Sequence, residues 1–273
     1  MLIRYHIQIA AVRVTWCLAA MSLSLATAQG AGQPAEPTPS TPTHHAVTAA
    51  PRIDGWWFAL QAERIDLMKK GDIDLLMVGD SITHNFANEK VGLKVWEKHF
   101  VPLKAINLGA GGDRTQHLLW RLNHLPVMKK APKGAVVLIG TNNMGWGSDT
   151  PQQTGDGIKA IVMKLKETYP EMDVLVLGVF PRRRKLDHPH RKRIIELNAL
   201  LPDLLKGMQG VTFMDIGPAF LDETGFLSPE MMPDGTHPSE KGHEVWTAAI
   251  MPELKRMLGK DGDAAEGNDD VKE

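Results

Sequence analysis

Five short runs of Val, Leu, Ile and Ala, at 74–78, 105–108, 135–139, 174–179 and 211–214, constrain this chain more than any other feature. They lack the polar alternation of a strand with one wet face, so each reads as a strand buried on both sides. Around them, segments 56–70, 92–99, 115–122, 155–169, 190–206 and 240–258 carry apolar residues at helical spacing. Strand, helix and strand in repetition build a parallel sheet covered by helices. The expected fold class is therefore α/β, with a five-stranded parallel sheet. Ligands of such sheets bind beyond the carboxyl ends of the strands, which directs the search for function to the loops after each strand.

The two ends of the chain lie outside this pattern. Residues 1–28 contain no acid, carry Arg4 and Arg13, run apolar over 14–25 and close on Ala26, Thr27 and Ala28. That is the outline of a secretory signal peptide cut after Ala28, which predicts a secreted or periplasmic protein. The apolar stretch is short for a bilayer span, so no stable membrane insertion is expected after cleavage. Cys17, the only cysteine, falls inside this segment, and the mature chain is expected to have no thiol chemistry. Residues 29–50, rich in Pro, Thr and Ala, read as a linker, and 259–273 as an acidic disordered tail. One domain, 51–258, remains. A net charge of −1 with acids and bases interspersed gives no footprint for nucleic acid.

Four exit loops hold the chemistry. After the first strand come Gly79, Asp80 and Ser81, where the serine is either a nucleophile over the sheet edge or an ordinary helix N-cap. No second glycine closes a G-x-S-x-G elbow, which disfavours an α/β-hydrolase. The second strand leads into NLGAGGD at 107–113. Its glycines suit close approach to a developing oxyanion, a phosphate cradle or a plain tight turn; the spacing is not that of a dinucleotide loop. The third exit carries Asn142 and Asn143, either an amide donor to the same oxyanion or turn residues. The last block, DGTHPSEKGH at 234–243, sets Asp234 and His237 three residues apart, so one turn can carry the acid and base of a hydrolytic triad. Asp234, His237 and His243 are also potential metal ligands, but the glycine turn supplies no ligand side chains and no H-E-x-x-H occurs. The expectation is no metal, with His243 near the start of the final helix.

In this order, Gly79-Asp80-Ser81, Gly112, Asn142 and Asp234 with His237 resemble the GDSL or SGNH hydrolase superfamily over about 73–243. Within it, NLGAGGDRTQHLLWRL at 107–122 and GTNN at 140–143 are similar to the catalytic subunits of the brain-type platelet-activating-factor acetylhydrolase family. The resemblance implies a flavodoxin-like three-layer α/β/α sandwich and no cofactor. It also implies Ser81 as nucleophile, His237 as base and Asp234 as its orienter. The oxyanion hole it implies is the N–H groups of Ser81 and Gly112 with the side chain of Asn142. The signal peptide and linker depart from the cytosolic members.

The function expected is a secreted serine esterase acting on small-acyl, most plainly acetyl, esters through an acyl-enzyme. A lipid acyl esterase or lysophospholipase, an acyltransferase on the same residues, and a non-catalytic carbohydrate-binding scaffold are the alternatives. The expected partner is a small-molecule, polysaccharide or lipid ester; a homodimer is left open. Asp80, His84, Asn143 and Trp146 are candidate substrate-binding residues, Asp80 also as a support for the serine turn and Asp113 for the glycine turn. Trp120 reads as core packing, and the run Arg182, Arg183, Arg184 and Lys185 as a solvated loop.

Overall fold

The structure, a computed structural model, describes residues 43–145 and 149–260. In chain order these residues form α1 (Gly55–Lys70), β1 (Leu75–Gly79), α2 (Ser81–His84), α3 (Leu93–His99), β2 (Ala105–Asn107), α4 (Thr115–Asn123) and β3 (Gly134–Leu138). They continue with α5 (Thr141–Gly145), α6 (Pro151–Thr168), β4 (Asp173–Leu177), α7 (Pro189–Leu205), β5 (Val211–Met214) and α8 (Glu240–Leu258). All five strands are parallel, in the order β2-β1-β3-β4-β5. This is the expected α/β fold, with the flavodoxin-like strand order.

Strand order decides which face each helix covers. The step from β1 to β2 runs one way across the sheet and every later step runs the other way, so right-handed crossovers put their helices on opposite faces. Accordingly Leu76, Val78, Val137 and Val176 pack with α4, α6 and α7, whereas Leu75, Met77, Val136 and Leu177 pack with α3 and α8. Both faces are dry, which is why the strands read as unbroken apolar runs. The order reverses between β1 and β3, and there the exit loops part to leave a crevice.

Two differences from the sequence expectation have physical causes. Helix α6 begins at Pro151, a turn ahead of the apolar pattern, because Thr150 and Gln153 close a capping box and Pro151 suits the first helical position. The linker read at 29–50 is shorter than expected, since His45–Val47 forms a 3-10 turn with Ala46 buried. The Ala46 carbonyl accepts the Thr115 hydroxyl at 2.8 Å, and the Ala50 N–H donates to the Gln116 carbonyl at 3.1 Å. The remainder of that linker, the expected signal peptide at 1–28 and the expected tail beyond Lys260 lie outside the described residues, as does Trp146.

Candidate active site

Strand β1 is buried along its whole length and delivers the chain to Asp80, which caps α2 by accepting the Ile82 N–H on Oδ1 at 2.9 Å. Ser81 is therefore the first residue of a short helix at the sheet edge. The β2 exit is bound to this helix through backbone. The Asn107 amide donates to the Thr83 carbonyl at 3.0 Å, and its Oδ1 accepts the Gly109 N–H at 2.9 Å. A side chain at Gly109 would stand 2.3 Å from the His84 nitrogen, so only glycine admits this approach. Gly112 follows with φ +77°, a left-handed turn that favours glycine. From the β3 exit, α5 brings up Asn142, whose Nδ2 donates to the Asp113 carbonyl at 2.9 Å.

The opposite wall comes from the loop before α8. Ser81 Oγ lies 2.8 Å from His237 Nε2, and His237 Nδ1 lies 2.6 Å from Asp234 Oδ2. A carboxylate only accepts, so the imidazole proton sits on Nδ1 and Nε2 is left to accept the serine hydroxyl proton. The second oxygen of Asp234 accepts the backbone N–H groups of Thr236 and His237, each at 2.8 Å. Burial alone would raise this carboxyl, but these hydrogen bonds, led by the one from the His237 ring, outweigh it and hold its pKa below the ordinary aspartate value. Ser239 then caps α8. His243 stands four residues into that helix, fully buried, donating Nδ1–H to the Ser239 carbonyl at 2.8 Å and edge-on to Phe86.

Several residues singled out in the sequence have other places. Asp80 is fully buried and faces the core, where burial pushes its pKa up to about 7, so it is not a substrate contact. Asn143 is also buried, and its amide is used up by the Thr115 N–H and hydroxyl, each at 3.1 Å, and by Asp149 at 2.9 Å. Asp113 closes the glycine turn with its backbone, its N–H donating to the Ala110 carbonyl at 3.2 Å, while its side chain turns away from the turn's own backbone. It lies under the turn, accepting Trp57 Nε1 at 2.7 Å and Arg121 at 3.1 Å. Burial pushes the Asp113 carboxyl up and the Arg121 guanidinium down, and the attraction between them works against both shifts. Trp120 packs against Trp57 and stacks on His124. His84 is half-buried on α2 beside Gly111, and burial with the charges of Arg64 and Arg121 lowers its pKa, keeping it neutral.

The run at Arg182–Arg184 departs furthest from expectation, because it is a clamp on the Asp234 turn rather than a solvated loop. The Arg184 guanidinium donates to the carbonyls of Leu227 at 3.1 Å, Met232 at 2.7 Å and Pro233 at 2.5 Å. Arg183, held at φ +70°, donates its N–H to the Gly235 carbonyl at 2.7 Å. Arg182 reaches across to the Thr141 carbonyl at 3.1 Å, next to Asn142. Buried Arg191 of α7 in turn holds the carbonyls of Arg182 and Arg183. Nothing in the charge pattern betrays these bonds, since their acceptors are backbone oxygens on a distant loop.

Comparison with known proteins places this geometry. The model of the GDSL-like Lipase/Acylhydrolase family matches residues 77–245. The human platelet-activating factor acetylhydrolase IB subunit alpha1 is 35% identical over 208 residues, covering 76% of this chain and 87% of that protein. The chicken (Gallus gallus) alpha2 subunit is 33% identical over 184 residues, covering 67% and 77%. Among solved structures, an acetylxylan esterase from Geobacillus stearothermophilus shares the fold with a TM-score of 0.54 at 20% identity, over 67% of this chain and 94% of that one. With its family model spanning all four exit loops, this chain belongs to the GDSL-like lipase/acylhydrolase family and is a carboxylic ester hydrolase.

Proposed function

We propose that the chain hydrolyses acetyl and similarly small acyl esters, with Ser81 as nucleophile, His237 as general base and acid, and Asp234 as its orienter. The observation that carries this reading is the continuous line from Ser81 Oγ through His237 to Asp234, with separations of 2.8 and 2.6 Å. Ser81 Oγ attacks the ester carbonyl while its proton passes to His237 Nε2, and the carbonyl oxygen becomes an oxyanion. The N–H groups of Ser81 and Gly112 and the Asn142 amide stabilise that charge; Asn142 turns to it from the Asp113 carbonyl. Collapse expels the alcohol, which takes the proton from His237. A water then loses a proton to His237, attacks the acyl-enzyme and releases the acid and free Ser81. The preference for acetyl is supported by the names of the relatives, which are acetylhydrolases and an acetylxylan esterase.

The reading includes export of the chain with cleavage after Ala28, supported by the composition of residues 1–28, and a hydrolase domain that ends near Leu258. A fluorophosphonate probe is expected to add once per chain, on Ser81, with the adduct lost in Ser81→Ala. Folded protein that turns over p-nitrophenyl acetate yet carries its adduct elsewhere sinks the assignment.

A further inference from the structure

A pair of adjacent tryptophans opens α1, and the fold uses them oppositely. Trp57 is fully buried and donates Nε1–H to Asp113, which joins the start of α1 to the underside of the glycine turn. Trp56 is 48% exposed. Its place is nonetheless fixed. Arg52 lies over one face of its indole, 5.2 Å from the ring centroid, and that guanidinium donates to Asp54 at 2.9 Å and to the Gly111 carbonyl at 2.5 Å.

Gly111 leaves a notch where these parts converge. A Cβ placed there would stand 3.8 Å from the Trp56 indole edge and 3.8 Å from His84 Nδ1, with no other atom within 4 Å. Gly111 precedes Gly112 of the oxyanion turn, and His84 lies one helical turn beyond Ser81, where side chains are about 5–6 Å apart. The notch is thus within the reach of one ring from the serine. Among the described residues neither the Trp56 N–H nor the His84 ring has a hydrogen-bond partner, so an aromatic face stands beside one donor and a neutral imidazole.

We infer that Trp56, His84 and Gly111 form the subsite for the alcohol part of the ester, and that this alcohol is a pyranose. The inference rests on the esterase reading above and deepens it. A sugar ring matches the set: its C–H face lies on an indole, and its hydroxyls meet the indole N–H and the imidazole. A choline headgroup matches it poorly. The cation–π capacity of Trp56 is already engaged by Arg52, and the neighbouring His84 is kept neutral by burial and by the positive Arg64 and Arg121. An anionic headgroup finds the Arg52 donors already committed to Asp54 and Gly111.

The test compares three acetyl esters on the full chain: ethyl acetate, a mono-O-acetylated methyl xylopyranoside and a 2-acetyl glycerophosphocholine, followed by acid release in a pH-stat. Trp56→Ala is expected to lower the kcat/KM ratio of the sugar ester to ethyl acetate roughly tenfold, through KM, with Trp56→Phe recovering part of it. Val127→Ala, exposed at the far end of the sheet, is the control and keeps the wild-type ratio. An unchanged ratio in Trp56→Ala, a loss confined to kcat, or a loss seen with the lipid ester and not the sugar ester overturns the subsite. Calorimetric binding of acetylated xylotriose to Ser81→Ala, with and without Trp56→Ala, reads the same subsite without turnover. Failure of wild type on all three esters would therefore sink the esterase reading while leaving the subsite separately testable.

Discussion

The two walls of the crevice are built by different means. The Ser81 wall grows out of β1, β2 and β3, is joined by the buried Asn107 side chain, which bridges the Thr83 carbonyl and the Gly109 N–H, and has the buried Asp113 network beneath it. The His237 wall is a surface turn that follows β5 by some twenty residues, its Asp234 side chain 56% exposed, and guanidinium groups hold it to the β4 exit. One wall inherits its position from the core; the other is pinned from outside. Changes in the framework beneath Ser81 are therefore expected to show as lost stability, and changes in what holds the second wall as lost rate on a fold that remains intact.

The largest test asks whether the walls act as one unit. Ser81→Ala and His237→Ala are each expected to lower kcat on the order of a million-fold, and the double variant by no more than either alone, because one proton transfer needs both. Steady-state kinetics giving multiplied losses would break the union of the two walls.

Asp80 sharpens the comparison from the core side. Folded, its carboxyl keeps a proton up to about pH 7, while the unfolded value is 3.8, so the chain takes up a proton on folding between those limits. The stability this group contributes is complete below about pH 4 and is lost as pH rises through 7. Asp80→Asn mimics the protonated form at every pH, so wild type should match it near pH 4 and fall below it by about 4 kcal/mol at pH 8. Urea unfolding of both proteins measures this, and parallel pH profiles would count against a buried neutral acid.

The smallest effect belongs to the clamp. Arg184→Ala removes three bonds to the strand of loop that ends at Asp234, and kcat should fall about 10- to 100-fold, as displacement of a catalytic group by about an ångström does. Arg184→Lys, with a single point donor in place of the planar fork, should recover only part. A melting temperature that drops as steeply as the rate would show the two walls to be alike.

The strands and long helices were legible because burial on both faces writes itself as apolar runs, and the hydrogen-bonded line of Ser81, His237 and Asp234 because its members sit at a strand exit and in one compact block; the oxyanion roles of Gly112 and Asn142 belong to the proposed mechanism. Arg184 was hidden: four basic residues in a row look solvated, and its acceptors lie 43 to 49 positions away. Asn143 and Asn142 are indistinguishable as letters, yet the helical turn of α5 directs one to Thr115 and Asp149 and the other to the Asp113 carbonyl. Segment 45–47 has too few residues to show a period, and only the groove between α4 and α6 makes it part of the domain.

The Ser81 to His237 hydrogen bond joins residues 156 positions apart, and the helix that follows His237 also supplies Trp246, Ile250 and Leu254 to the second face of the sheet. During synthesis Ser81, the proposed nucleophile, is thus made early and without its base, while one side of the sheet remains uncovered. On the proposed mechanism, covering the second face of the sheet and supplying Ser81 with its base are the same late event, so a chain that ends before Asp234 is expected to lack both the packing of α8 and esterase activity.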